Sequence, residues 1–168
     1  AHRRYFLAIM GQYGVVGKDD DLAYRIARRD AHNADAALSG ALSAAYLEPE
    51  RVRSKTDAGT RFLVLAHTLL NYLSALGAHR NAEHAPLDDA LAAADYLADA
   101  LERLAAMLES GPAVPASLCC DESIDSHALH CPSDSEEAEI HRILRGQLGL
   151  AMRLLPSLRE AADCLRTT

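Results

Sequence analysis

The sequence has no tryptophan and only two phenylalanines in 168 residues, and its β-branched and aromatic residues never alternate over a strand length, which excludes a sheet-built core. Its four cysteines, with Cys119 and Cys120 adjacent, are too few and too awkwardly spaced for a secreted disulfide framework. A reducing compartment is therefore expected. No secretory leader is visible. The most apolar run, Phe62 to Leu76, is only about 15 residues long and contains His67 and Asn71, whereas a membrane span needs roughly 20 apolar residues. It reads as a core helix. Glycine-rich phosphate loops, Gly-x-Ser-x-Gly and His-Glu-x-x-His patterns are all missing, as are internal repeats, so neither an enzyme nor a cofactor is expected.

The chain also lacks a net basic balance. Its formal charge is −7, with 11 Lys/Arg against 8 Asp/Glu in residues 1–80 and 6 against 16 in residues 81–168. Phosphate backbones need a basic face, so nucleic acid is excluded as a partner. A basic end facing an anionic leaflet stays open.

What is present is alanine and leucine. Nearly half the residues are apolar (49%), enough for a globular core, and the length suits one domain over residues 1–168. The pattern predicts an all-α, antiparallel up-and-down bundle of four to five helices. The first runs from about His2 to Tyr13 and stops at the Gly14 and Gly17 turn. It begins abruptly, as expected of a piece of a longer protein. The second runs from about Asp20 to Leu47, opened by three aspartates at the positive end of the helix dipole and closed before Pro49. Its middle, Ala34 to Ala45, is built of small residues and suits close approach of a neighbour or self-association into a homo-oligomer.

The third helix runs from about Asp57 to Arg80 after a Thr56 cap, with Phe62, Leu65, Leu69, Leu73 and Leu76 as its stripe. The fourth opens at Pro86 and repeats Leu87, Leu91, Ala94, Leu97, Leu101, Leu104 and Leu108 before Gly111-Pro112. The fifth begins near Ser133 with a capping box to Glu136, carries Ile140, Leu144, Leu148, Ala151, Leu155, Leu158 and Leu165, and is expected to kink at Pro156. Strict alternation of direction places Arg3, Arg4, the basic turn Arg51 to Lys55 and a flexible acidic loop at about 111–133 toward one end. The 14–18 turn, the His79 to His84 turn and the C-terminus then lie toward the other.

The densest polar constellation, Arg25, Arg28, Arg29, Asp30, His32, Asn33 and Asp35, lies on the second helix, where Arg28, His32 and Asp35 share one face and Arg29 and Asn33 another. On the third helix, His67 and Asn71 stand four apart with Arg61 and Tyr72 nearby. Paired donors and acceptors of this variety predict a partly buried layer that fixes helix register. A pocket for an anionic solute or nucleotide is the alternative, its small-molecule ligand unspecified. Catalysis is a remoter reading, because no nucleophile and base are arranged in a motif. If the layer is buried, His32→Ala or Asn33→Ala lowers the melting temperature. A second constellation, Cys119, Cys120, His127, His130 and Cys131, offers zinc-type ligands but no Cys-x-x-Cys pair. A flexible acidic loop is the plainer reading, with metal or redox chemistry as the alternative.

Two runs stop looking generic. Asp20 to Ser39, with Tyr24-Arg25-Ile26-Ala27-Arg28-Arg29-Asp30-Ala31-His32-Asn33-Ala34-Asp35 at its centre, and Arg61 to Leu70 followed by Tyr72 to Arg80 resemble the C-terminal part of YccS/YhfK-type inner-membrane proteins of the FUSC-like, fusaric-acid-resistance-like group. The close likeness covers about residues 19–80, and beyond it only the helical pattern is similar. The resemblance implies a cytosolic domain on the cytoplasmic face of the bacterial inner membrane, partnered by the membrane portion of its own chain. It also implies a parent linked to export of small organic anions such as aromatic carboxylic acids. No catalytic or transport residue follows from it.

Overall fold

A computed structural model describes residues 1–13, 21–48, 56–79, 88–109 and 136–167. Among them are five helices and no strand: α1 (His2–Met10), α2 (Asp21–Tyr46), α3 (Thr56–Ala78), α4 (Asp88–Glu109) and α5 (Glu136–Thr167). The all-α bundle expected from the composition is what forms. The Gly14 and Gly17 turn, the Arg51 to Lys55 turn, the 111–133 stretch and the Ser133 cap lie outside the described residues.

Helix boundaries follow local chemistry. α1 ends three residues earlier than the pattern suggests, and Gly11 to Tyr13 continue it as a turn in which the Gln12 and Tyr13 amides donate to the Ile9 and Met10 carbonyls. Tyr13 is buried, and its hydroxyl donates to the Leu76 carbonyl at 2.7 Å. That carbonyl also accepts from the His79 amide at 3.1 Å, so two donors serve an oxygen in the last turn of α3, where intrahelical partners run out. Thr56, expected as a cap, stands inside α3 and is buried, and its carbonyl accepts from the Thr60 hydroxyl at 2.8 Å. Acidic residues occupy the first turns of α3 (Asp57) and α4 (Asp88, Asp89), where the helix dipole favours negative charge.

The core is centred on α3. Leu69, Leu70, Leu73 and Leu76 are each no more than 1% exposed, and this helix packs on α1, α2 and α5. Phe62 and Leu65, earlier on the same stripe, are only partly buried. α4 packs on α1 and α5 through Ala90, Ala93, Ala94, Leu97 and Leu101. The expected stripe is corrected at Leu91 and Leu108, which are exposed: at 3.6 residues per turn the inward face drifts, and Ala90 rather than Leu91 points to the core. In α5, Leu144, Leu148, Ala151 and Leu158 are buried as the pattern requires.

Named contacts fix the directions. Tyr24 lies against Gly77, Asp35 against His67 and Tyr46 against Thr60, so α2 and α3 are antiparallel. Arg61 meets Glu160 and Gly59 faces Leu165, placing the end of α5 beside the start of α3. Arg145, near the other end of α5, pairs with Asp89 at the start of α4, and Glu102 further along α4 pairs with Arg3. α4 and α5 therefore run in the same direction, and strict alternation stops at α4. The C-terminus lies at the α3 N-terminal end, opposite to the expectation, and Arg3 and Arg4 sit along the bundle rather than at an end. The reason is length: the 26 residues between α4 and α5 impose no hairpin, and a bundle accommodates one long crossover. Pro156 is exposed inside a helix that runs unbroken to Thr167, so its missing amide costs one hydrogen bond without ending the element.

Core and surface leucine-type positions are expected to differ sharply. Leu73→Ala should cost about 2–5 kcal/mol by urea unfolding, whereas Val64→Ala, at a position 58% exposed, should stay within about 0.5 kcal/mol.

Candidate functional site

One cluster of polar residues forms where α1 packs on α2 and α3. α1 is a short helix whose inner face is Tyr5, Phe6 and Ile9, all fully buried. Its outer residues are left to reach sideways. The Arg4 Nη2 donates to Asp30 Oδ2 at 2.8 Å, and Arg29 reaches the other oxygen of Asp30 at 3.3 Å. One turn further along α2, Asp35 accepts at 2.9 Å from, or donates to, Nδ1 of His67, according to which of the two carries the proton. Asp35 is largely buried while the His67 ring stays half in solvent.

His2 closes the cluster. It is mostly buried near Asp35 and His32, and its pKa is pushed down to about 4, by burial first, then by the chain's amino group and His32, with Asp35 opposing. Its Nε2 and the Asp35 Oδ1 are both buried and find no hydrogen-bond partner among the described residues. Beneath this layer Tyr5 and Tyr24 bring their hydroxyls to 3.4 Å with ring centroids 5.7 Å apart. Burial, then the bond to Tyr24, pushes the Tyr5 phenol up to about 12, and burial raises Tyr13 as well. Gly77 makes room for the pair, since a Cβ there would stand 2.9 Å from the Tyr24 oxygen and 3.3 Å from that of Tyr5.

The expected partly buried layer is thus much smaller than the sequence suggests. Asp35 with His67, and Asp30 with Arg4 and Arg29, are brought together. Arg25, Arg28, Arg29, His32, Asn33 and Asn71 are exposed. Among the described residues of α2 only Tyr24, Ala27 and Ala31 are buried, because α2 packs on its neighbours along one side. Arg28, His32 and Asp35 do share that flank, but only Asp35 turns far enough inward to be covered. Arg61 reaches Glu160 across α5 instead of joining the layer. Cys119, Cys120, His127, His130 and Cys131 lie outside the described residues, and among the described residues no three His, Cys, Asp or Glu side chains are placed to hold a metal ion.

Sequence reasoning missed two features. His2 enters the cluster through tertiary packing that no local pattern records. Arg145 and His141 are buried on α5, and Arg145 Nη2 pairs with Asp89 at 2.7 Å. Here a signal existed, because both sit four apart on the same side as Leu144 and Leu148, and a cation within an apolar stripe requires a partner.

The cluster can hold helix register. The comparisons with known proteins bear on what it belongs to. No family model matches the chain, and no solved structure matches it. It is similar to the inner membrane protein YccS of Escherichia coli, 40% identical over 163 residues that cover 94% of this chain and 21% of that protein. It is also similar to an uncharacterized protein of Haemophilus influenzae, 34% identical over 160 residues that cover 90% of this chain and 22% of that protein. The chain spans about a fifth of the length of these curated relatives.

His2 sets a pH dependence. The folded His2 pKa lies below the ordinary value of 6.5, at about 4, so the unfolded chain takes up the proton first as pH falls. The contribution is fully present above pH 6.5 and is lost between pH 6.5 and about 4, amounting to roughly 3 kcal/mol. His2→Gln should flatten the slope of unfolding free energy across that window. His32→Ala and Asn33→Ala, at exposed positions, are now expected to stay within about 0.5 kcal/mol.

Proposed function

The chain belongs with the YccS-type inner membrane proteins, of which it spans about a fifth, and from that premise we propose that it is a helical module outside the bilayer, on its cytoplasmic face, serving assembly or regulation of the parent protein and not catalysis. One observation carries the reading: the chain matches an inner membrane protein almost end to end, while no helix among its described residues is long and apolar enough to cross a membrane. Its apolar residues are spent on a shared core that all five helices enter. Transport by the parent, of small organic or aromatic acids as the FUSC-like resemblance implies, is assigned to the remaining four-fifths.

The exposed cations Arg25, Arg28 and Arg29 favour a second reading, in which the module senses the anionic solute that the parent handles. A thermal-shift series against aromatic carboxylates and nucleotides separates the two, since a ligand raises the melting temperature with concentration. No shift is expected under the assembly reading.

Topology is testable through Cys164, whose residue is exposed on α5. In the intact parent protein with Cys119, Cys120 and Cys131 replaced by serine, a membrane-impermeant maleimide should label Cys164 in inverted vesicles and not in intact cells. The opposite pattern would remove the cytoplasmic placement. Deleting this segment should leave the membrane portion inserted but abolish resistance to an aromatic-acid challenge, and undiminished resistance would remove the assembly or regulatory role.

A further inference from the structure

We propose that the outer face of the first turns of α2 is a membrane-surface patch, by which the chain rests on an anionic lipid leaflet. The inference rests on the reading of the chain as a module outside the bilayer of an inner membrane protein, which puts a lipid surface within its reach. Leu22, Arg25, Ile26 and Arg29 stand three and four residues apart and so form one patch. All four are exposed, on the side of α2 opposite the buried Tyr24, Ala27 and Ala31. Leu22 is 62% exposed and Ile26 41%, and neither joins the core. Single exposed leucines are ordinary on a soluble surface. Two large apolar side chains one turn apart, interleaved with arginines, are the pattern of a helix face that lies in a membrane interface.

Charge complementarity selects the occupant. Arg25 and Arg28 are exposed and form no ion pair among the described residues. Arg4 and Arg29 share Asp30, so four arginines face one carboxylate. From Leu22 to Tyr46 the other carboxylate of α2 is Asp35, half-buried against His67. Like charges at Arg25, Arg28 and Arg29 repel one another along the helix, and anionic headgroups relieve that repulsion while the arginine stems lie along the acyl boundary and Leu22 and Ile26 enter it. The rest of the molecule fixes the orientation. α4 packs on α1 and α5 and exposes Asp88, Asp95, Asp99, Glu102 and Glu109, a face that the same leaflet repels. A soluble anion or an acidic protein would satisfy the arginines alone and leave Leu22 and Ile26 in water, whereas a lipid surface uses both.

Vesicle flotation tests the patch on the chain itself. The chain should float with phosphatidylglycerol-rich vesicles and not with phosphatidylcholine alone, and added salt should release it. Arg25→Gln combined with Arg29→Gln should weaken partition roughly thirtyfold, at about 1 kcal/mol per arginine near such a surface, with helical circular dichroism intact. Arg142→Gln combined with Arg153→Gln removes the same charge from exposed positions of α5, which packs on α3 and α4, and should leave partition unchanged. The sequence has no tryptophan, so Leu22→Trp supplies a single indole whose emission should move to the blue on anionic vesicles. Absence of flotation with phosphatidylglycerol would overturn the proposal, as would an equal loss in the α5 pair or a Leu22→Trp emission that stays that of water. A dimer in sedimentation velocity, formed without lipid and broken by Arg25→Gln with Arg29→Gln, would assign the patch to a second copy and overturn it too. Each of these results leaves the cytoplasmic placement standing, because maleimide labelling of the parent tests that separately.

Discussion

The burial of four leucines on α3 is the constraint from which the rest of this bundle follows. Leu69, Leu70, Leu73 and Leu76 are sealed from water, and each fully buried leucine contributes about 1.5–3 kcal/mol relative to exposure. A helix sealed along this column must be covered from several directions at once, and α1, α2 and α5 supply the cover. Tyr5, Phe6 and Ile9 give α1 a fully buried face for that cover. Tyr13 then ties the following turn to the end of α3.

Polar groups occupy what the apolar packing leaves over, at the flanks where helices meet. Asp30 and Asp35 of α2 are only partly exposed, and each takes a cation or imidazole from a neighbouring helix, Arg4 and His67 respectively. Arg145 does the same for α5, held against Asp89 at the start of α4. These pairs cross from helix to helix, so each constrains sliding of one rod along another. Among the described residues the Asp35 Oδ1 and the His2 Nε2 are buried without a hydrogen-bond partner, at the place where α1 meets α2.

Helix number and the inward leucines were legible because a 3.6-residue period survives in composition as poor in strand formers as this one. Two things were not. The direction of α5 depends on the 26 residues that precede it, and a connection of that length permits either direction, so alternation was an assumption rather than a reading. The burial of the Arg25 to Asp35 constellation depended on how many neighbours α2 has. Varied donors and acceptors look the same in sequence whether they face a helix or water. The decisive difference is that the inner side of α2 runs through Tyr24, Ala27 and Ala31, buried, and Asp35, Leu38, Leu42 and Ala45, half-buried, while Arg25, Arg28, His32 and Asn33 on its flanks stay in water.

That inner side is itself informative. Among the described residues of α2, Tyr24, Ala27 and Ala31 are buried while Asp35, Leu38, Leu42 and Ala45 continue the same side half-buried, so packing is supplemented by the helix propensity of its alanines and by ion pairs. In such a helix glycine at position 40 is out of place, since it costs about 1 kcal/mol relative to alanine and nothing inside the chain needs its small size. Folding of the isolated chain would be better served by alanine there, and by polar residues at Leu22, Ile26 and Leu47. α3 spends Leu69, Leu70, Leu73 and Leu76 on the core, whereas α2 leaves Leu22 and Ile26 in water.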